Sequence, residues 1–446
     1  MFLKKIRPRA SLLSLLLMLG LPARAQQSSN PSTARQVQQD RLWSTLEKLG
    51  EFGKNPEGGV SRVGFTEVDL AGRAYVMGLM REAGLEVRVD AAGNIFGRRA
   101  GRENLPVLLF GSHIDSVPHG GNFDGDVGSL SAIEVLRALG ERKVTTRHPL
   151  EVVVWTNEEG GRYYSGLFGS SAAAGILPGD VAGRKDEKGE TLGSWLVRMG
   201  GDGARIAEAK IAPGRVAGYV ELHIEQGATL DEEKIPIGVV QGIVGISLRY
   251  CTVAGFANHA GTTPMNRRRD ALAAAAKAVL ALREEVRAEA GRQVGTVGEL
   301  KLEPGASNVI PGRVVFSVEL RDLDAEKIAR IGERIQGRLE AIGKEENVAI
   351  TCTKADLHRP ALTAPAFQEA IRAAAREAGL ATMDLPSGAG HDAQNVARFA
   401  PVGMIFVPSR GGISHSPLEF TPPEAVANGA EVLYRTVLRL DAELDK

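Results

Sequence analysis

Across 446 residues, 54 lysines and arginines balance 54 aspartates and glutamates, so no net field recruits nucleic acid or an anionic membrane, and neutrality points to a small-molecule or protein partner. Two cysteines, Cys251 and Cys352, exclude a disulfide-dense scaffold. The chain exceeds one ordinary core, and the rough prior of one domain per ~150 residues allows two or three.

The N-terminal stretch reads as a secretory signal peptide over residues 1–25. Lys4, Lys5, Arg7 and Arg9 form a basic region, Ser11 to Leu21 an apolar core, and Ala23-Arg24-Ala25 a small-x-small cleavage site. The apolar run is shorter than the ~20 residues that span a bilayer, so the mature protein is expected to be periplasmic or secreted, with no membrane attachment after cleavage. Thr66 to Ala83 carries helical periodicity and stops at Gly84, and LEVRVD then alternates as a short strand. LPVLLFGSH, PLEVVVWTNEE, VAGYVELHIEQG and VGMIFVPS are apolar runs that alternate with helical patterns, the signature of an α/β fold with a mostly parallel sheet flanked by helices.

From about Gln241 to Asp356 the order changes to strand, helix, strand, strand, helix, strand. ISLRYCTVAG, VGELKLEP, GRVVFSVELRD and NVAITCTK are the strands; Asp270 to Ala288 and Ala325 to Ile342 are the helices. This βαββαβ order predicts an inserted α/β sandwich at 241–356, dividing a catalytic domain into 34–240 and 357–446. Both cysteines fall in its strands. A cross-strand disulfide and two separately buried thiols are both open, and two buried thiols is the working expectation.

The chemistry sits where the apolar runs stop. GSHIDSVPHGGNFDGDVG brings His113, Asp115 and Asp124, and WTNEEG brings Glu158 and Glu159; ELHIEQG adds His223 and GGISHSPLE adds His415. Open α/β sheets place ligands in the crevice at the carboxyl ends of their strands. A lone histidine at a strand end is ordinarily a structural hydrogen-bonding residue, and adjacent acids are ordinarily a solvated pair. Here the His-x-Asp spacing lets the Asp115 carboxylate hold the second nitrogen of His113. The glutamate pair ends a buried run, where a carboxylate needs a metal or a partner. Asp126, in the same glycine-rich loop as Asp124, reads as a cap of the helix Ser129 to Leu139 rather than as a ligand. Three histidines and two acids suffice for two metal ions sharing a carboxylate and activating a water, with a further glutamate to move its proton.

HIDSV, FDG, NEEG, HIEQG, NHAGTTPM with RRDA, SNVIPG, SGAGHDA and HSPLE follow one another across nearly the whole mature chain. In this order they resemble the N-carbamoyl-L-amino-acid hydrolase, allantoate amidohydrolase and β-ureidopropionase family, of the aminoacylase-like dinuclear zinc metallopeptidase superfamily. The resemblance implies that His113, Asp124, Glu159, His223 and His415 bind two divalent metals, with Asp124 bridging, Glu158 as general base and Asp115 orienting His113. Zinc is the metal it suggests; manganese, cobalt and nickel remain open because such donor sets select poorly by affinity. It also implies that Asn308 and Arg321 hold a substrate carboxylate, a role suited to a guanidinium fork, although Arg321 by itself reads as a surface partner of Asp322 or Asp324. Gln226, Gly388 and Ala389 would line the pocket, with His391 organising its loop. His259 would complete the active site from the partner subunit, making the inserted domain a dimerisation and lid domain.

The activity so implied is hydrolysis of the linear ureido C–N bond of an N-carbamoyl-L-amino acid or a related ureido acid such as allantoate, releasing ammonia and carbon dioxide. An aminoacylase or exopeptidase on the same scaffold is the nearest alternative. A periplasmic binding protein without catalysis is the alternative of another class, and it predicts that Glu158 is dispensable.

Overall fold

The computed structural model describes residues 34–444, so the expected signal peptide at 1–25 lies outside the described residues. In chain order, α1 (Gln39–Leu49), α2 (Glu67–Glu82), β1 (Glu86–Val89), β2 (Ile95–Arg99), β3 (Val107–His113), α3 (Asp126–Glu141), β4 (Leu150–Trp155), α4 (Phe168–Ala174), α5 (Leu192–Arg198), β5 (Val216–Ile224), α6 (Thr229–Glu233) and β6 (Ile237–Ile243) come first. A second group follows: β7 (Gly245–Ala254), α7 (Ala271–Ala288), β8 (Val294–Thr296), β9 (Leu300–Glu303), β10 (Arg313–Asp322), α8 (Ala325–Glu345), β11 (Ala349–Cys352) and β12 (Asp356–His358). The chain ends with β13 (Ala361–Leu362), α9 (Pro365–Glu377), β14 (Thr382–Ser387), α10 (Asp392–Val396), β15 (Val402–Val407) and α11 (Pro423–Glu443). No helix of the described residues is long and apolar enough to cross a membrane.

The larger sheet runs β1-β2-β4-β3-β5-β15-β6-β13, with β14 on β6. Its central strands β4, β3, β5 and β15 are mutually parallel. Strands covered on both faces read as continuous apolar runs, and every residue of β3 and β4 is buried. Successive side chains serve opposite faces. Leu108 and Phe110 join a core with residues of α1, α3, α9 and α11, whereas Leu109 joins Ala173 of α4 and Val396 of α10. Each fully buried side chain of this size is worth roughly 1.5–3 kcal/mol.

Chain direction reverses its crossovers around β3, which lies between β4 and β5, and this opens a crevice at the strand ends. Helix α3 descends from that crevice and lies close on β5: a Cβ on Gly128 would collide with the carbonyl oxygen of Leu222. The helix begins earlier than expected, and its N-cap is Gly125, at φ 66°. Asp126 therefore does not cap it. Its carboxylate pairs instead with the buried Arg62, Nη2 to Oδ2 at 2.5 Å, and Arg62 spends its other donors on the carbonyls of Ile114, Leu49 and Phe52.

The second sheet, β11-β7-β10-β8 with β12 on β7 and β9 on β10, is antiparallel throughout. Helices α7 and α8 pack on one of its faces around Cys251, Val253, Val314, Phe316, Val318 and Leu320. The expected strand VGELKLEP is realised only as β9, and the separate short strand β8 precedes it at Val294–Thr296. β8 pairs with Glu319–Arg321 and β9 with Arg313–Phe316, because Ser317 Oγ accepts from the amides of Gly298 and Glu299 and interrupts the ladder between them. β12 carries this sheet to His358, past the expected limit at 356.

The expectation of two separate thiols is overturned: Cys251 and Cys352 form a disulfide. Strand pairing is the cause, since the β7–β11 register sets Cys352 directly opposite Cys251. The crosslink joins residues separated by 101 positions, and a loop of ~100 residues corresponds to about 4.7 kcal/mol of lost unfolded-state freedom. Replacing both cysteines by alanine should lower the unfolding free energy by about 2–5 kcal/mol in urea titrations under non-reducing conditions. An unchanged transition would show that the pair does not stabilise the fold.

Candidate metal centre

His113 is the last residue of β3, His223 lies one residue before the end of β5, and Glu158 and Glu159 follow β4 in a tight loop entered through Asn157 at φ 52°. Asp124 enters from the loop before α3 and His415 from the loop after β15. The two Asp124 oxygens face different partners. Oδ1 lies 3.1 Å from His223 Nε2 and 3.5 Å from His113 Nε2, while Oδ2 lies 3.5 Å from His415 Nε2. His415 Nε2 is also 3.3 Å from Glu159 Oε2. Of three groups of donors among the described residues whose ligand atoms lie within 4.8 Å of one another, two share Asp124, namely His113, Asp124, His223 and Asp124, Glu159, His415; the third is Glu221, His223, His391.

These distances suit ligands of a common ion, because two donors ~2.0–2.1 Å from a tetrahedral zinc lie roughly 3.3 Å apart. Orphaned atoms point the same way. His113 Nε2 and Glu159 Oε1 are buried with no hydrogen-bond partner among the described residues, a state that polar atoms in folded proteins rarely keep without a ligand. Glu158 stands beside the first group, its Oε2 3.8 Å from His113 Nε2.

The buried groups shift one another's proton affinities. Burial alone would discharge His113, yet Glu158, Asp124 and Asp115 hold its pKa well above the ordinary value. Asp124 is likewise buried, but His223 and the neighbouring imidazoles of His113 and His415 keep it well below the usual carboxylate range. Its hydrogen bond to Asp124 raises His415 to about 9. Burial raises Glu159 to about 7, and it lifts Glu158 well above its usual value, aided by Asp392 and Glu159. Burial and the nearby His223 push His391 well below the usual histidine range, and its Nε2 meets Ser387 Oγ at 2.9 Å.

Asp115 orients His113 differently from expectation. The Nδ1 partner is the Asp115 backbone carbonyl at 3.0 Å, whereas the nearer carboxylate oxygen is 3.8 Å away. The carboxylate accepts instead from the amides of Glu158 at 3.0 Å and Glu159 at 3.1 Å. One residue thus sets the imidazole tautomer through its main chain and the glutamate pair through its side chain.

Gln226, at φ 59°, donates from Nε2 to Asp124 Oδ2 at 2.6 Å. Arg321 does not pair with Asp322 or Asp324: its Nε donates to Glu319 Oε1 and its Nη1 to the carbonyl of Gly388, both at 2.8 Å. The second sheet thereby touches the Gly388–Ala389 loop, where Ser387 Oγ bonds the Ala389 carbonyl at 2.9 Å. His259 and Asn308 are exposed on neighbouring loops, joined through the Ala260 amide and the Asn308 carbonyl at 2.9 Å. Among the described residues no hydrogen bond or ion pair links either of them to the donor groups. Glu419 escapes the sequence reading although HSPLE contains it. Its buried carboxylate, raised by burial to about 7, bonds the amides of Phe123, Asp124 and His415.

The profile of Peptidase family M20/M25/M40 matches residues 109–439. An N-carbamoyl-L-amino acid amidohydrolase of Geobacillus stearothermophilus is 46% identical over 405 residues, covering 91% of this chain and 99% of its own. A ureidoglycolate hydrolase of Arabidopsis thaliana is 35% identical, covering 93% of this chain and 89% of its own. The crystal structure of an amidase of the hydantoinase/carbamoylase family from Burkholderia multivorans superposes with a TM-score of 0.85 at 38% identity, covering 92% of this chain and 99% of that one. The strand-end donor groups and these likenesses meet in one assignment: the chain belongs to Peptidase family M20/M25/M40.

Proposed function

We propose that this protein is a dinuclear-metal amidohydrolase that cleaves the linear ureido C–N bond of an N-carbamoyl-L-amino acid or a related ureido acid, giving the free amine, ammonia and carbon dioxide. One observation carries the reading. Two donor groups share Asp124 through different oxygens, while Glu158 is left outside both. The names of the relatives support the ureido substrate class.

His113, Asp124, His223, Glu159 and His415 would hold the ions, with zinc favoured by three imidazoles and two carboxylates. Bound ions of this kind polarise a carbonyl and acidify water. Glu158, which stands beside the first donor group, takes a proton from the attacking water and returns it to the departing amine. Gln226 steadies Asp124, and Arg321 with Asn308 receives the substrate carboxylate. For that, the Arg321 guanidinium exchanges its hold on Gly388 for the substrate. Glu158→Gln should retain the metal but lose about 10²–10⁴-fold in turnover, measured as ammonia release from N-carbamoyl amino acids, allantoate and β-ureidopropionate. Undiminished turnover would exclude Glu158 as the base. Cleavage of dipeptides with no ammonia from any ureido acid would favour the exopeptidase reading.

The exposed His259 supports completion of the site by a second copy, polarising the carbonyl oxygen across a homodimer built on the second sheet. Mixed Glu158→Gln and His259→Ala chains should then recover about a quarter of wild-type activity, since half the dimers are hybrid and each hybrid has one intact site. No recovery on subunit exchange would contradict a shared site. The basic and apolar segments before Ala25 support export to the periplasm or medium, as does the disulfide, which persists in oxidising compartments.

A further inference from the structure

Glu419 belongs to neither donor group, yet its carboxylate reaches both loops that carry Asp124 and His415. Oε1 accepts from the backbone N–H of Phe123 at 2.9 Å and of Asp124 at 3.1 Å. Oε2 accepts from the backbone N–H of His415 at 3.3 Å and meets the Ser414 hydroxyl at 2.9 Å, and that hydroxyl also lies 2.9 Å from Asp124 Oδ2. Four contacts use the lone-pair directions of an ionised carboxylate. The fit is close, since a Cβ on Gly121 would run into this carboxylate. Asp124 and His415 come from distant parts of the chain, and neither of their loops is a strand or helix at the ligand itself. Their spacing therefore depends on what ties the loops together.

We propose that Glu419 is a positioning residue that clamps the Asp124 loop to the His415 loop and so decides whether the group Asp124, Glu159, His415 can hold its ion. The proposal rests on the dinuclear reading above. Its two oxygens do separate work, which gives it an asymmetric consequence. In Glu419→Gln the remaining carbonyl oxygen goes to the Phe123 and Asp124 amides, because backbone N–H groups can only donate whereas the Ser414 hydroxyl can turn and accept from the new NH₂. That NH₂ then faces the His415 N–H, donor against donor, and the His415 loop is released while the Asp124 loop stays held. Glu419→Ala frees both.

Zinc titration calorimetry on the chelator-stripped wild type, Glu419→Gln and Glu419→Ala, with thermal unfolding of each metal-free protein, tests the clamp. Wild type should take two equivalents. Glu419→Gln should keep one equivalent at wild-type affinity and bind the other ~10–100-fold more weakly, with its metal-free midpoint unchanged, and Glu419→Ala should weaken both. Cobalt-loaded Glu419→Gln should show an altered visible spectrum for one ion only. Two equivalents bound by Glu419→Gln as tightly as by wild type would overturn the proposal. So would equal weakening of both ions together with a lowered metal-free midpoint, the mark of a residue that only supports the fold. Fewer than two equivalents on the wild type would instead remove the dinuclear reading beneath it.

Discussion

A carboxylate buried among three imidazoles is the constraint around which this molecule is arranged. Asp124 is 6% exposed, and His113, His223 and His415 approach it from three elements that meet only in the fold. Such a cluster is costly unless its charges are paired or shared with a cation. Isolating the group from water also strengthens every electrostatic interaction in it. The same arrangement that burdens the protein is thus what suits it to bind ions and stabilise developing charge.

Much of the surrounding structure serves to place those groups. The parallel strands β3, β4 and β5 end together because a continuous apolar run buried on both faces fixes their register. Gly125 lets the chain turn into α3 against the His113 ring, which a Cβ there would strike. Arg62 anchors Asp126 two residues beyond Asp124, and Asp115 divides its main chain and side chain between the imidazole and the glutamate loop. The second sheet has a separate core and its own crosslink. It meets the Gly388–Ala389 loop on the larger sheet's side through the hydrogen bond from Arg321 to the Gly388 carbonyl.

The parts legible in the sequence were those written as contiguous patterns. Apolar runs stopping at His113, Glu158 and His223 announced strand ends, and the helices expected at 270–288 and 325–342 appear at Ala271–Ala288 and Ala325–Glu345. What stayed hidden depends on pairing at a distance. The disulfide required the β7–β11 register, and Asp126 read as a cap because its partner Arg62 lies 64 positions away. Asp115 showed the right residue with the wrong atom, since spacing cannot tell a carbonyl from a carboxylate. Glu419 sat in plain view within HSPLE. An acid two residues beyond Pro417 looks solvated until the loop carrying Phe123 and Asp124 is folded against it.

The central claim is that two ions occupy the strand-end cluster with Asp124 between them. Anomalous diffraction at the zinc edge from crystals of the zinc-loaded protein measures this directly. Two peaks are expected, one among His113, Asp124 and His223, the other among Asp124, Glu159 and His415. A cluster without an anomalous peak, or zinc bound elsewhere while these side chains bond only one another, would contradict it.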